Sequence, residues 1–371
     1  MNKKTGFHYG IIILFFICFL LFAYFLNQTE KPQLTTSVGR TFEKAKVTQI
    51  LQDNIQENGK RYGEQKVLLE MLTGEKKGET TEATSSAGYL FGAPCKVGME
   101  VVAIQSISGD ISIVSVYSPN REWAVYAFIA LYLLTICLIG GKQGLKSALG
   151  LIFTFICILY IYIPMIFRGF SAFWAAVFVA AITTVVTMYL IGGATKKTLC
   201  SILGTVAGVI LAGITAKLFG FFTGISGYNV SDIESLLFIE DTTGISVGGL
   251  LFSGLLISSL GAVMDVAMSI SSTINEIYEK KPSLSRLELF QSGMNVGKDM
   301  MGTMSNTLIL AFAGGAVSVL LNNYVYDLPY LQIINSNNIG IEIMQGISGS
   351  MGVVLTVPIV AAFSAFYLKK E

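Results

Sequence analysis

Hydrophobic and polar positions alternate on two scales along this chain. Between residues 28 and 121 the scale is short. Lys46-Val47-Thr48-Gln49-Ile50, Lys66-Val67-Leu68-Leu69-Glu70-Met71, Glu100-Val101-Val102-Ala103-Ile104 and Ile111-Ser112-Ile113-Val114-Ser115-Val116 have a period of two and β-branched content. Turn-rich breaks divide them at Glu57-Asn58-Gly59-Lys60, Thr73-Gly74-Glu75-Lys76-Lys77-Gly78 and Ser108-Gly109-Asp110. The pattern predicts a small β-rich domain of about five or six strands, and an OB-like barrel fits the length. Such a domain either binds a ligand or docks on neighbouring envelope proteins.

Elsewhere the scale is long. Apolar runs of spanning length occur at residues 11–26, 123–139, 147–167, 172–191, 198–216, 247–270, 303–321 and 345–367. A helix needs about 20 residues to cross the hydrocarbon core, so these runs predict about eight transmembrane helices, an N-terminal anchor followed by seven. The breaks are chemically sensible: Gly140-Gly141-Lys142, Arg168-Gly169, Gly192-Gly193 before Lys196-Lys197, and a polar loop around Asn322-Asn323. The fold class expected is therefore an α-helical polytopic membrane protein. Residues 1–27 form a signal anchor, 28–121 the β-rich domain, and 122–371 a seven-helix transmembrane domain.

Composition agrees. Of 371 residues 53% are hydrophobic and 13% charged, about half the charged fraction of soluble domains. The net charge of +1 and the lack of a basic stripe with interleaved aromatics exclude a nucleic-acid partner. The partner implied first is the lipid bilayer. Five scattered cysteines suggest buried small hydrophobes rather than a disulfide framework.

Lys3 and Lys4 precede the first apolar run, and Ala23-Tyr24-Phe25-Leu26 lacks the small-x-small site of a cleavable signal. An uncleaved anchor with a cytoplasmic N-terminus follows. From that start one face collects Lys142, Lys146, Lys196, Lys197, Lys280, Lys281, Arg286, Lys298, Lys369 and Lys370, while Arg168 and Lys217 flank the other. Positive residues in short loops prefer the cytoplasm, so both termini are expected there and residues 28–121 outside.

Small residues at GxxxG spacing, Gly204 with Gly208 and Gly244 with Gly248, followed by Gly249, Gly254 and Gly261, indicate close helix packing. Chemistry is concentrated between Glu240 and Asn306. Ser231-Asp232-Ile233-Glu234 is a capping-box signature that opens a run too short to span, an interfacial or re-entrant helix. It leads to Glu240, Asp241 and Thr242, oxygen groups that suit a hard cation or, more simply, the positive end of the helix that follows.

Along that next helix Ser258, Gly261, Asp265, Ser269, Ser272 and Glu276 recur at three- and four-residue spacing and share one face. Asp265 is the only charged residue between Asp241 and Glu276. A lipid-facing carboxylate is costly, so the face is expected to look into the bundle or a wet cavity. Counted from Val247, Asp265 lies about 18 residues along, roughly 27 Å at about 1.5 Å per residue, in the inner third of the membrane. The following span carries Asp299, Thr303 and Asn306 near Gly302, and a third stripe, Glu342, Gln345, Gly349 and Gly352, opens the last span, where Pro358 is placed to kink it.

Between the two polar spans, residues 283–293 predict a short amphipathic cytoplasmic helix, with Ser285 and Glu288 as a capping box and Leu284, Leu287 and Phe290 on its apolar face. It either lies on the membrane surface or docks on a membrane or cytoplasmic protein partner.

Glu240-Asp241-Thr242-Thr243-Gly244, Leu260-Gly261-Ala262-Val263-Met264-Asp265-Val266-Ala267-Met268-Ser269-Ile270 and Gly297-Lys298-Asp299-Met300-Met301-Gly302-Thr303-Met304-Ser305-Asn306-Thr307-Leu308 resemble the YibE/F-like bacterial membrane proteins over about residues 120–370. The resemblance implies a bacterial plasma-membrane protein of the transporter kind. Two function classes follow: a transporter or permease component with a polar path through Asp265, Asp299, Asn306, Ser269 and Thr303, or an envelope scaffold or sensor acting through the outer domain. An enzyme is not expected. The one histidine is His8, and no HExxH or P-loop occurs. The residues imply no cofactor, and they specify neither a metal nor an oligomeric state.

Overall fold

The computed structural model describes residues 3–29, 32, 39–56, 59, 61–86, 91–108 and 111–369. Glu57, Asn58, Lys60, Gly109, Asp110 and Lys370, used above for turns and charge, lie outside the described residues. The chain divides into two compact units: Gln33–Thr135, and Met1–Pro32 with Ile136–Glu371.

The first unit is built on five strands, β1 (Arg40–Gln52), β2 (Glu64–Met71), β3 (Thr80–Ser86), β4 (Glu100–Ser108) and β5 (Ile111–Pro119). They close into a barrel in the order β1-β2-β3-β5-β4, all neighbours antiparallel except β3 and β5, which run parallel at Thr84 and Ser115. β1 is long enough to pair with both β4 and β2, and bulges after Val47 and Ile50 bend it around the closure. Alternate residues point inward, so Val47, Val67, Leu69, Met71, Val101 and Val116 form one apolar core.

β3 corrects the reading of the pattern. Thr80-Thr81-Glu82-Ala83-Thr84-Ser85-Ser86 has no large apolar residue, yet it forms a strand, because Ala83 and Ser85 face inward where space is small. The Ser85 hydroxyl donates to the Ala93 carbonyl at 2.7 Å and accepts from the Ala93 amide at 2.9 Å. Buried Gln65 is likewise paired, accepting from the Cys95 amide at 2.8 Å and donating to the Cys95 carbonyl at 3.1 Å. Burial pushes the Cys95 thiol above its ordinary pKa, so it behaves as a core hydrophobe.

The rest of the described chain is helical. α1 (Lys3–Asn27) precedes the barrel; α2 (Glu122–Cys157), a π-helical turn (Ile158–Tyr162) and α3 (Ile163–Phe167) follow it. Then come α4 (Ala172–Gly192), α5 (Lys196–Thr223), a short 3₁₀ turn (Gly227–Asn229), α6 (Ile233–Thr243), α7 (Leu250–Lys280) and α8 (Arg286–Gly315). α9 (Val317–Val325), α10 (Tyr330–Ile334) and α11 (Asn337–Leu368) complete the chain.

Among the described residues, five helical stretches are long and apolar enough to cross a membrane: Glu122–Phe167, Ala172–Gly192, Lys196–Thr223, Leu250–Lys280 and Asn337–Leu368. α8 and α9, bent by 58° at Ala316, make a sixth if they act as one span. The chain is thus a membrane protein. The first stretch holds two of the predicted runs, and Gly141 breaks it with φ 53° and ψ −130°, a backbone open to glycine. A Cβ on Gly144 would collide with the Ile136 carbonyl, so the chain turns back sharply at this break.

Three boundaries differ from expectation. Residues 283–293 are not a separate helix but the first turns of α8, which continues to Gly315, because Gly293 and Gly297 are packing positions rather than breaks. Asn322 and Asn323 lie inside α9 instead of a loop. Val247 to Gly249 precede the helical backbone of α7, so Asp265 stands 15 residues into that helix, roughly 22 Å at about 1.5 Å per residue, near the middle of Leu250–Lys280. The capping box at the start of α8 does form: the Ser285 hydroxyl accepts from the Glu288 amide at 3.2 Å and the Glu288 carboxylate accepts from the Ser285 amide at 2.7 Å. The one at Ser231 does not, since α6 is preceded by Asp232 with no side-chain cap.

α11 is the central helix, packed on α5, α7 and α8. It stays one helix through Pro358. Glycines set these approaches. A Cβ on Gly204 would fall on Val360, on Gly208 on Thr356 and Val263, and on Gly352 within 2.7 Å of Ala212. Gly204 and Gly208 therefore mark a packing face as expected, whereas Gly244 and Gly248 lie outside a helix, Gly244 as the left-handed cap of α6.

Arg168, at the end of α3, secures α1. Its guanidinium donates to the Phe25 carbonyl, to the Leu26 carbonyl at 3.1 Å and to the Thr29 hydroxyl at 2.9 Å, and it stacks over the Phe25 ring. Of the cysteines, Cys95, Cys157 and Cys200 are buried as expected, but Cys18 is exposed on α1.

Candidate functional site

α7 is buried on most sides. Leu255, Leu256, Ser259, Val263, Val266, Ala267 and Ile270 face α4, α5, α8 and α11. What remains is one narrow exposed line: Gly254, Ser258, Gly261 and Asp265. The neighbouring α8 exposes Asp299, Gly302, Thr303, Asn306 and Thr307. The predicted polar faces thus exist, but on the outside of this chain rather than in its core. Apolar residues at the other positions of both helices win the interior, where a carboxylate would cost the most.

The register between the helices is fixed by glycine. A Cβ on Gly293 would lie 2.5 Å from Ile274, one on Gly297 would lie 3.2 Å from Ile270, and Ser259 and Leu308 both reach Gly349 of α11. α7 and α8 therefore run antiparallel with these residues level. The same register sets Asp265 level with Gly302, and Asn306 level with Gly261. In height along the pair Asp265 and Asn306 differ by about one helical turn, roughly 6 Å, and each lies about 140–180° round its helix from the residues that meet the other helix.

Glycine leaves room at both levels, since a Cβ on Gly261 or Gly302 would meet nothing within 4 Å. No described residue hydrogen-bonds the side chains of Asp265, Asp299 or Asn306. Thr303 donates to the Asp299 carbonyl at 3.4 Å, and half-buried Ser269 offers its carbonyl to Thr273 at 2.8 Å. Asp265 and Asn306 are thus unsatisfied polar groups beside open glycines, while Thr303 already has a partner along its own helix.

The third stripe divides. Gly349 and Gly352 are buried in the central seam, whereas half-buried Glu342 lines a cleft of about 340 Å³ with Ile309, Ala313, Leu320, Ile343 and Gly346, in the elbow between α8, α9 and α11. Glu342 is not part of the α7–α8 face.

Glu240, Asp241 and Thr242 belong to the last turn of α6, not to the start of the next helix, so they do not cap α7. Gly244 ends α6 there with φ 72°. The Glu240 carboxylate accepts from the Tyr228 hydroxyl at 3.0 Å and from the Val247 amide at 3.4 Å, and it pins the loop before α7. That hydrogen bond holds the Tyr228 hydroxyl above its ordinary pKa. Thr242 donates to the Phe238 carbonyl at 2.7 Å, and Asp241 is exposed. Among the described residues no group of three or more His, Cys, Asp or Glu side chains could hold a metal ion.

The barrel carries a feature missed in the sequence. Phe42 of β1, Phe91 of the β3–β4 connection and Tyr117 of β5 meet on its outer surface, with ring centroids 5.4 Å apart for Phe42 and Tyr117 and 6.2 Å for Phe91 and Tyr117. The Gly92 amide holds the connection in place, donating to the Tyr117 carbonyl at 2.8 Å. The three residues are 26 or more positions apart, and only barrel closure unites them.

Residues 128–370 match the family described as YibE/F-like protein. No curated protein and no solved structure matches the chain. The chain belongs to the YibE/F-like family.

Proposed function

We propose that this YibE/F-like chain is a transporter or permease component of the bacterial plasma membrane, moving a proton or a cation along the polar face of α7 and α8. One observation carries the reading: Asp265 lies on a helix long and apolar enough to span, Asp299 and Asn306 lie on α8 of the bent α8–α9 pair, and none of the three has a side-chain hydrogen-bond partner among the described residues. Polar groups at such positions are expensive in hydrocarbon, and those that persist mark ion paths or relays. Asp265 is the ion-binding group; Asn306 and Thr303 supply the amide and hydroxyl oxygens along the path, with Ser269 and Asp299 flanking it.

Eight spans serve this reading, counting α1 and the two halves of Glu122–Phe167 either side of Gly141. Both termini lie in the cytoplasm and the barrel outside, in line with the Lys and Arg distribution. The start of α8, where Leu287 is 65% exposed, is the surface for a cytoplasmic partner. Asp265→Asn should abolish proton or cation flux in reconstituted vesicles while leaving insertion and thermal stability unchanged. Undiminished flux would overturn the proposal.

A second reading has its own support. The barrel is OB-like in strand number and closure. Its exposed aromatic group of Phe42, Phe91 and Tyr117 suits a non-enzymatic scaffold or sensor that docks on an envelope component. In that case Phe42→Ser with Phe91→Ser should abolish complementation of a strain lacking the gene, and Asp265→Asn should not. The reverse pattern favours transport.

A further inference from the structure

Glu342 stands on α11 one turn before Gly346, and a Cβ on Gly346 would meet Ile309 of α8 at 3.7 Å, so Glu342 shares the face of α11 that looks toward α8. At Ala316 the chain bends by 58° into α9, and Ala313, Ala316 and Gly346 are too small to fill the angle. The space left is the cleft of about 340 Å³ that Glu342 lines. Its other walls are apolar, chiefly Ile309, Leu320, Ile343 and Ile347.

No described residue neutralises this carboxylate. Glu342 belongs to none of the ion pairs among the described residues. The sequence has no Lys, Arg or His between Lys298 and Lys369, a stretch that includes the whole of α9, α10 and α11. On neighbouring α5, Lys217 is taken up by the Phe173 ring, 4.0 Å from its centroid. An ionised carboxylate among apolar side chains is costly unless a cation joins it. The cleft therefore offers one negative charge and an apolar bed, and it has room for a guest.

We propose that this cleft binds a lipophilic ammonium ion, its charged head on Glu342 and its apolar body along the isoleucine walls. Charge complementarity selects the head. The walls select the body, because a bare hard cation needs several oxygen ligands and the lining side chains supply one carboxylate. The volume selects the size: small-molecule pockets run from roughly 300 to 1,000 Å³, and this one lies at the low end, below the bulk of a two-chain lipid. Ile309, Leu320 and Ile347 are exposed, so the cleft opens sideways and a ligand dissolved in the bilayer has direct entry. The inference goes beyond the flux reading, since Glu342 is not on the α7–α8 face.

The test uses the full chain in nanodiscs of phosphatidylglycerol, which carries no ammonium group, and an octylammonium probe with a diazirine at its tail. Illumination should attach the probe to peptides of α8 or α11 that carry Ile309 or Ile343. Excess octylammonium should abolish that labelling, and octan-1-ol, with the same chain and no charge, should not. Glu342→Gln keeps the side chain's shape and should lower the saturable labelling about tenfold or more. Ala313→Phe, at an exposed wall position, fills the cleft with the carboxylate intact and should abolish it. Asp265→Asn should leave it unchanged. Labelling that octan-1-ol competes equally, or that survives both Glu342→Gln and Ala313→Phe, would overturn the proposal. So would loss of labelling when phosphatidylethanolamine is added to the nanodisc, or when sodium replaces potassium at constant ionic strength, because the occupant is then a lipid or an inorganic ion. Saturable labelling without flux keeps this inference and ends the transport reading, and Asp265-dependent flux without labelling does the opposite.

Discussion

Two lines of glycine run through the helical unit and are used in opposite ways. On the seam of α5 with α11, Gly204, Gly208 and Gly352 are buried, and each has a neighbour where its side chain would stand. On the outward sides of α7 and of α8, Gly254, Gly261 and Gly302 have none. Glycine costs about 1 kcal/mol against alanine inside a helix. On the seam that cost is offset by helix approach within the chain. On the outward sides no described residue offsets it, and the gaps lie beside Asp265 and Asn306, whose side chains have no hydrogen-bond partner among the described residues. A small residue in a helix therefore marks a contact only where its neighbours close on it, and the same spacing in sequence covers both cases.

The seam is where the comparison breaks most visibly. Gly208→Leu drives a side chain into Thr356 and Val263, both fully buried. Overpacking of this kind costs about 3 kcal/mol or more where the neighbours cannot yield. Thr356 cannot easily yield, since its hydroxyl donates to the Gly352 carbonyl at 2.7 Å. The variant should lose most of its folded yield in detergent and melt well below the native protein. Unchanged melting would mean that α5 and α11 are not held at glycine distance.

Much of this was legible in the chain, and the parts that were not share a cause. Apolar runs and their charged breaks place the helices, because the bilayer imposes length and polarity on them directly. The Ser285–Glu288 capping box was readable, since it is a local hydrogen-bonding pattern. The length of α8 was not. Gly293 and Gly297 look like an interruption in sequence, but against Ile274, Ile270 and Val357 they are contacts that keep the helix going. β3 was hidden because its inward positions are Ala83 and Ser85, small where the pattern expects large. For the site, spacing showed that Asp265 and Asn306 share faces with glycine. Which way those faces look depends on what α4, α5 and α11 bury, and Phe42, Phe91 and Tyr117 are united only by strands distant in sequence. Long-range packing decides both.

The smallest effect is also the most discriminating. Gly302→Ala adds one methyl where nothing lies within 4 Å and where φ is helical. It should stabilise the chain by about 0.5–1 kcal/mol, because alanine has less backbone freedom to lose. Thermal melting of the two proteins side by side measures this. The sign matters more than the size. A gain shows that the glycine serves no contact within its own chain. A loss would place a hidden neighbour at Gly302, make the outward side of α8 another internal seam, and remove the contrast between the two lines of glycine.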